Sequence, residues 1–426
     1  MAAVTGTMTE QILSEKAGES VTSGDVTVVD VDKALLQDGT GPLTVRQLRD
    51  IDLEQCAIPD GTVVFLDHQA PPMNDRMANE HALLREFVDE VGAQLSDVGD
   101  GICHQVMNYD YTAPGDVLVG ADSHTVTGGA LGAFATGMGS TDVGIGLALG
   151  ETWMKVPPVD RFRIEGAFSP GVYAKDLILR IIGDVGADGE NYRAMEFVGP
   201  TAEAMRIDER MTVANMVVEA GAKAGLFPSD ETTKEFLESR ERVEDWQPIE
   251  PDPDAEYDRE YEYDVSDLEP QVAYPHQVDN VVSVTHDRVQ DVPIHQAFLG
   301  SCTNARYEDL QIAAEIIASH DYEVHPDTRL IVNPASREVY ERAMADGLME
   351  TFSKAGAAIN TAGCGICYGG HQGALADGEN AIGANNRNFK GRFGNPKADV
   401  YLGSPATVAA SAIRGEIADP RAVIEA

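Results

Sequence analysis

Basic residues are scarce in this chain of 426 residues. Lys and Arg number 31, only nine of them Lys, against 71 Asp and Glu, for a formal net charge of −40. A surface so negative repels nucleic acid and anionic membrane. It repels an acidic substrate too, unless a local cationic pocket overrides the field. Long apolar runs are missing as well. None reaches the ~18–20 residues that span a bilayer, and residues 1–20 lack a basic stretch followed by an apolar one, so no secretory signal is read. A soluble cytoplasmic protein is expected. Cysteine is sparse and odd in number, with five residues, which excludes a disulfide framework. Three further absences remove whole chemistries. No G-x-G-x-x-G marks a dinucleotide fold, no G-x-x-x-x-G-K-[ST] a P-loop, and no G-x-S-x-G a nucleophile elbow.

What is present is globular. Hydrophobic residues make up 43% of the chain and aromatics 6%, and at ~150 residues per domain the length allows about three domains. Residues 9–16 read as a helix and Val26 to Asp32 as an alternating strand. Gly61 to Phe65 and Val117 to Val119 read as buried strands between turn signals. Residues 78–93, 172–183 and 212–225 carry helical periodicity. Val281 to Val284, Ala297 to Leu299 and Arg329 to Val332 read as strands among helices. Alternation of this kind predicts an α/β fold built from three α/β/α domains, over residues 1–158, 159–284 and 285–426. Residues 120–150 hold nine glycines, a sign of close backbone packing around a site. Residues 230–269 carry 17 acidic against 4 basic residues, and read as an exposed, mobile insertion or linker with a solvated acidic surface.

Three constellations carry chemistry. Gly363-Cys364-Gly365-Ile366-Cys367 lies 62 residues beyond Ser301-Cys302-Thr303-Asn304. A C-x2-C with a remote third Cys is a metal-site pattern. Zinc needs four ligands and would recruit a His such as His371. An iron–sulfur cluster on three Cys would keep one iron open to substrate. Cys56 and Cys103 lack such contexts and read as packing residues. The second constellation pairs histidines with carboxylates at strand ends: Asp67-His68, His104, and Asp122-Ser123-His124. A carboxylate beside an imidazole raises its pKa and fixes its tautomer, which suits general acid work. The third is Asn385-Asn386-Arg387-Asn388-Phe389-Lys390-Gly391-Arg392, three cations within six residues of an acidic chain. Arginine forks grip carboxylates. An RNA-binding patch is the weaker reading, since no aromatic-interleaved basic surface accompanies it. The residues therefore describe an enzyme for a polycarboxylate. It has a metal centre, proton-moving His–Asp pairs and carboxylate-holding arginines.

These motifs, with Leu299-Gly300 before Ser301 and Gly120-Ala121 before Asp122, resemble the aconitase superfamily. Within it the chain is most similar to the branch of isopropylmalate dehydratase and homoaconitase large subunits, from about Thr9 to Ile417. The resemblance implies three domains around a [4Fe-4S] cluster held by Cys302, Cys364 and Cys367, with one iron not bound by cysteine. It implies that Asp67-His68 delivers a proton to a departing hydroxyl. It also implies that His104 pairs with Asp122, and His124 with Glu196. Gln37, Ser123, Asn386, Arg387 and Arg392 match positions that bind a dicarboxylate or tricarboxylate hydroxy acid. Many isopropylmalate-type chains carry His where this one has Gln37, whereas aconitases carry Gln, which leaves the substrate open. The family's swivel domain, with its serine base, is expected on a separate small subunit. Neither a nucleic acid nor a membrane is expected as a partner.

The charge makes a prediction of its own. Acid spread along the whole chain reads as adaptation to high salt, with an acidic interaction surface as the alternative. At 1 M salt the Debye length shrinks to about 3 Å, which screens the self-repulsion of the folded state. Melting temperature should rise steeply with KCl. A flat dependence from about 0.1 to 2 M would reject the high-salt reading.

Overall fold

The computed structural model describes residues 6–53, 55–321 and 323–424. Among these residues no helix is long and apolar enough to cross a membrane. The first region contains β1 (Val26–Asp30), β2 (Lys33–Gln37), β3 (Thr62–Phe65), β4 (Gln94–Ser96), β5 (Val117–Gly120), β6 (Phe134–Gly137) and β7 (Glu151–Lys155). Strands β2 to β6 form a wholly parallel sheet in the order β4-β3-β2-β5-β6. The chain winds outward from β2 through β3 to β4, then returns to the other side of β2 with β5. The border of β2 and β5 is therefore a topological switch point, where the loops leave in opposite directions and open a crevice. Strands β1 and β7 form a separate antiparallel ribbon.

The second region has β8 (Val159–Glu165), β9 (Ala194–Val198), β10 (Ala224–Leu226) and β11 (Arg259–Asp264), parallel throughout, in the order β10-β9-β8-β11. The third has β12 (Gln271–Ala273), β13 (Val281–Ser283), β14 (Gln296–Leu299), β15 (Arg329–Val332), β16 (Ala358–Ile359), β17 (Asn380–Gly383) and β18 (Asp399–Leu402). Its order is β13-β12-β18-β17-β14-β15-β16, with β14 to β18 parallel. The winding repeats that of the first sheet: β14 runs out to β16, then β17 returns beside β14. This sheet has its own switch point, between β14 and β17. Strands β12 and β13 join it by antiparallel pairing, although the reading from sequence placed them before residue 285, in the second region.

Two readings need correction. The segment 212–225 is not one helix. The helix Ile207–Met216 gives way to a tighter turn over Val217–Ala220, and Gly221 at φ +89° ends it, so that β10 can begin at Ala224. Nor is the acidic segment a mobile linker. It contains the helix Glu231–Ser239, capped by the Asp230 carboxylate on the Thr233 amide. The fully buried Arg210 grips that carboxylate with both terminal nitrogens, at 3.0 and 2.6 Å. The segment then supplies the edge strand β11. Arg259-Glu260-Tyr261-Glu262-Tyr263-Asp264 alternates with period two. Tyr261 stacks on Phe162 at 4.6 Å between ring centroids, with Tyr263 beyond it at 6.5 Å. Net charge conceals this pattern, because the acids occupy the solvent positions of an otherwise ordinary strand.

Candidate active site

The carboxyl ends of the two switch-point sheets converge. Gln37 ends β2, Asp67-His68 follows β3, and Asp122 follows β5. From the third sheet, Ser301-Cys302 follows β14 and Asn385-Asn386-Arg387 follows β17. Cys364 precedes, and Cys367 lies within, the turn Gly365–Tyr368 between β16 and β17. One cavity of about 180 Å³ is lined by Gln37, His68, His104, Asp122, His124, the three cysteines, Asn386, Arg387, Arg392 and Tyr368. Residues from opposite ends of the sequence meet here because each β-α turn must leave its sheet at the same edge.

Asp122 organises the acid side. Oδ1 accepts from His104 Nε2 at 2.8 Å and from the His124 backbone amide at 2.8 Å, and Oδ2 lies 3.3 Å from His68 Nε2. Gln37 Nε2 reaches the same carboxylate at 3.4 Å. Burial alone would raise the Asp122 pKa. The His104 charge and the bonds from His104, His124 and His68 outweigh it and hold the group well below the carboxylate range. His68 is bonded through Nδ1 to Asp67 Oδ1 at 2.9 Å, and Asp67 Oδ2 accepts the Cys103 amide at 2.8 Å. Burial works against a charged His68. The Cys364 sulfur, Asp67 and Asp122 overcome that, so its pKa rises well above the ordinary imidazole value. Buried Asp38 aims the loop, accepting the amides of His68 at 2.9 Å and Gln69 at 2.8 Å while paired to His81.

The three sulfurs have the surroundings expected of thiolate ligands. Asn215 Nδ2 lies 3.2 Å and Asn386 Nδ2 3.4 Å from Cys302 Sγ, and Arg392 donates to Cys367 Sγ at 3.5 Å. Burial and the neighbouring Cys367 push the Cys302 thiol up to about 11. Cys302 and Cys367 thus have amide or guanidinium donors, while Cys364 Sγ lies 3.8 Å from Asp67 Oδ2 and beside His68. Three buried sulfurs lining one cavity suit a group that binds them as thiolates. His371, which a zinc site would recruit, instead donates Nε2–H to the His68 carbonyl at 3.1 Å. Gly365 adopts φ +55°, and a Cβ there would lie 2.6 Å from Asn333 Nδ2, so only glycine allows the turn that presents Cys364 and Cys367.

The pairing of His124 with Glu196 is overturned. His124 Nε2 bonds Glu219 Oε1 at 3.0 Å, and the same oxygen accepts from Arg387 Nε at 2.8 Å. Arg387 then reaches Ser123 Oγ at 3.0 Å. Glu196 sits in β9, away from the cavity. It accepts the Met8 and Thr9 amides at 3.2 and 2.8 Å, the Thr9 hydroxyl at 2.9 Å and the Tyr257 hydroxyl at 3.2 Å. It thus caps the helix Met8–Ala17, satisfying amides that a helix start leaves free. Glu219 did carry a signal: a lone carboxylate in Met216-Val217-Val218-Glu219-Ala220, where an apolar turn should continue. Two further residues were missed. Fully buried Arg306 holds the Cys302 and Thr303 carbonyls at 2.8 and 2.7 Å. Buried Lys175 holds those of Ala384 and Asn385 at 2.9 and 2.7 Å.

Comparison with known proteins agrees with this geometry. The Aconitase family (aconitate hydratase) profile matches residues 10–415. The chain belongs to the aconitase family. The 3-isopropylmalate dehydratase large subunit of Elusimicrobium minutum is 50% identical over 419 residues, covering 98% of this chain and 99% of that protein. The large subunit 1 of the same enzyme from Methanopyrus kandleri is 50% identical over 417 residues, 97% and 99% of the two chains. The probable methanogen homoaconitase large subunit of Methanothermobacter thermautotrophicus is 48% identical over 421 residues, 97% of each. Among solved structures, aconitase X of Thermococcus kodakaraensis shares the fold, with a TM-score of 0.52 at 13% identity over 84% of each chain.

The two glutamates separate in a direct test. Glu219→Ala strips His124 and Arg387 of their shared partner. It should cut dehydratase turnover about 10–100-fold, the scale of a lost orienting carboxylate, with the fold intact. Glu196→Ala orphans buried donors and should cost about 2–4 kcal/mol of stability, with kcat per folded enzyme unchanged. The reverse pattern in thermal melts and kinetics would restore Glu196 to the site.

Proposed function

We propose that this chain is the large, catalytic subunit of 3-isopropylmalate dehydratase. It interconverts 2- and 3-isopropylmalate by dehydration and rehydration, in leucine biosynthesis. The observation that carries this reading is the joining, in one cavity, of three cysteines, a histidine–aspartate network and two arginines, in a chain about half identical to such subunits along nearly their full length.

Cys302, Cys364 and Cys367 would hold a [4Fe-4S] cluster whose fourth iron, bound by no cysteine, supplies Lewis acidity toward a substrate hydroxyl. The protein's own residues do the rest. Asp67 fixes the His68 tautomer, and the raised His68 pKa keeps a proton on Nε2, the nitrogen facing Asp122, at neutral pH. His68 donates that proton to the leaving hydroxyl. When water adds back, the neutral ring receives a proton, so the same residue serves both directions. Arg387, aimed by Glu219 and Ser123, and the largely buried Arg392 bind the substrate carboxylates in a pocket whose local charge opposes the field of the whole chain. The base that removes the carbon-bound proton comes from a small subunit that closes the cavity and excludes water. The chain works in a cytoplasm rich in salt.

Gln37 favours a second reading, a homoaconitase- or aconitase-like hydroxy-acid dehydratase. Its amide bridges Asp122 and the Gly39 amide at the cavity wall, where an isopropylmalate-type chain has His.

The test is turnover of isopropylmalate, homoaconitate and aconitate by the anaerobically prepared chain, with and without its small subunit. Isopropylmalate should be preferred by the pair, and the isolated chain should be nearly inactive. His68→Gln should lower kcat by roughly 10²–10⁴-fold, the scale of general acid–base catalysis. Each of Cys302→Ser, Cys364→Ser and Cys367→Ser should abolish activity, whereas Cys56→Ser should keep it. Near-normal turnover in His68→Gln, or preference of the pair for another acid, would contradict the reading.

A further inference from the structure

The ribbon of β1 and β7 presents two unlike faces. Val29 and Met154 are buried against the first region's core. The opposite face carries Val26, Val28 and Trp153, respectively 69%, 52% and 54% exposed. Register places these together: Val28 is directly across from Trp153, and Val26 from Lys155. A short two-stranded ribbon showing one of the chain's two tryptophans and two valines to solvent is an unpartnered apolar surface.

The ribbon borders a groove of about 460 Å³, lined among others by Trp153, Met154, Met138, Tyr192 and Lys223. The groove is continuous with the catalytic residues, since Asp122 and Ser123 form part of its wall. Its wall carries charges of both signs, with Asp122 and Asp142 beside Lys223. Two of the nine lysines, Lys155 and Lys223, bring Nζ to 5.9 and 5.8 Å from the centre of the Tyr192 ring.

We propose that this ribbon face and its groove form the docking surface of the small subunit. The inference rests on the reading above, that a second polypeptide completes the site. A body seated in the groove lies beside the cavity, because Asp122 lines both and Ser123 lines the groove. The surface fits a partner that places an apolar side chain against Trp153 and Val28, with Lys155 at the edge of the patch open to a carboxylate. Tryptophan at the centre of a surface that becomes dry is the residue type on which interface energy concentrates.

The experiment uses the cluster-loaded chain and the small-subunit polypeptide from the same genome. In a Trp246→Phe background Trp153 is the only tryptophan, and its emission should shift to the blue on titration with the small subunit. Trp153→Glu and Val28→Glu should each weaken the complex more than about tenfold. Both sites are exposed, so the variants should keep their melting temperature and cluster absorbance. Val243→Glu, an exposed apolar site off the ribbon, should bind like the parent chain. If Trp153→Glu and Val28→Glu bind and activate the small subunit normally, the surface is wrong while the two-subunit reading stands. If the unmodified chain turns over fully alone, that reading fails and the surface loses its occupant. If Trp153→Glu instead splits a homodimer of this chain, the occupant is a second copy, and the proposal is overturned.

Discussion

A single buried carboxylate governs the architecture of the site. Asp122 faces three imidazoles at once, those of His68, His104 and His124. An unpaired charge at such depth costs several kcal/mol, so the carboxylate and the imidazoles fix each other's place. Each imidazole has a second commitment. His68 binds Asp67, which in turn holds the Cys103 amide, and His124 binds Glu219, which aims Arg387. The network therefore runs from the cysteine wall, through His68 and Asp122, to Arg387. Displacement of any member disturbs the others, because buried hydrogen bonds of this kind polarise and position one another.

That network can form because two sheets share one winding. In each, the chain leaves a central strand, runs to one edge and returns on the other side, so each opens a crevice at the carboxyl ends of its strands. The crevices face one another. The loops that cross between them are held by buried side chains spent on backbone carbonyls: Arg306 on Cys302 and Thr303, and Lys175 on Ala384 and Asn385. The cavity differs from the rest of a chain of charge −40 in carrying Arg387 and Arg392 on its wall. The acidic residues are spread over the whole chain, while the cavity wall combines two guanidinium groups with three imidazoles and the Asp122 carboxylate.

Motif residues were legible in the sequence where chemistry and backbone coincide. Cys364-Gly365-Ile366-Cys367 reads directly, because the glycine that allows the turn lies between the ligands it presents. Asp67-His68 and Asp122-Ser123-His124 read because strand ends declare themselves by hydrophobic runs. The partner of His124 did not read. The bond from His124 to Glu219 spans 95 residues, and nothing local distinguishes a buried acid that answers a histidine from one that caps a helix. Glu196 is the second kind. Composition misled over residues 230–269 for a related reason: a charge count is blind to period two, and Tyr261 and Tyr263 anchor a strand whose other positions are acidic. Arg306 and Lys175 were invisible because their partners are carbonyls, which every residue has.

The most direct measurement of the central claim is the iron and acid-labile sulfide content of the anaerobically purified chain. Three buried cysteines lining one cavity predict a brown protein with about four irons and about four sulfides per chain, as a [4Fe-4S] centre requires. Air should remove iron and, with it, activity in the presence of the small subunit. A colourless protein with one zinc per chain and no sulfide would contradict the account.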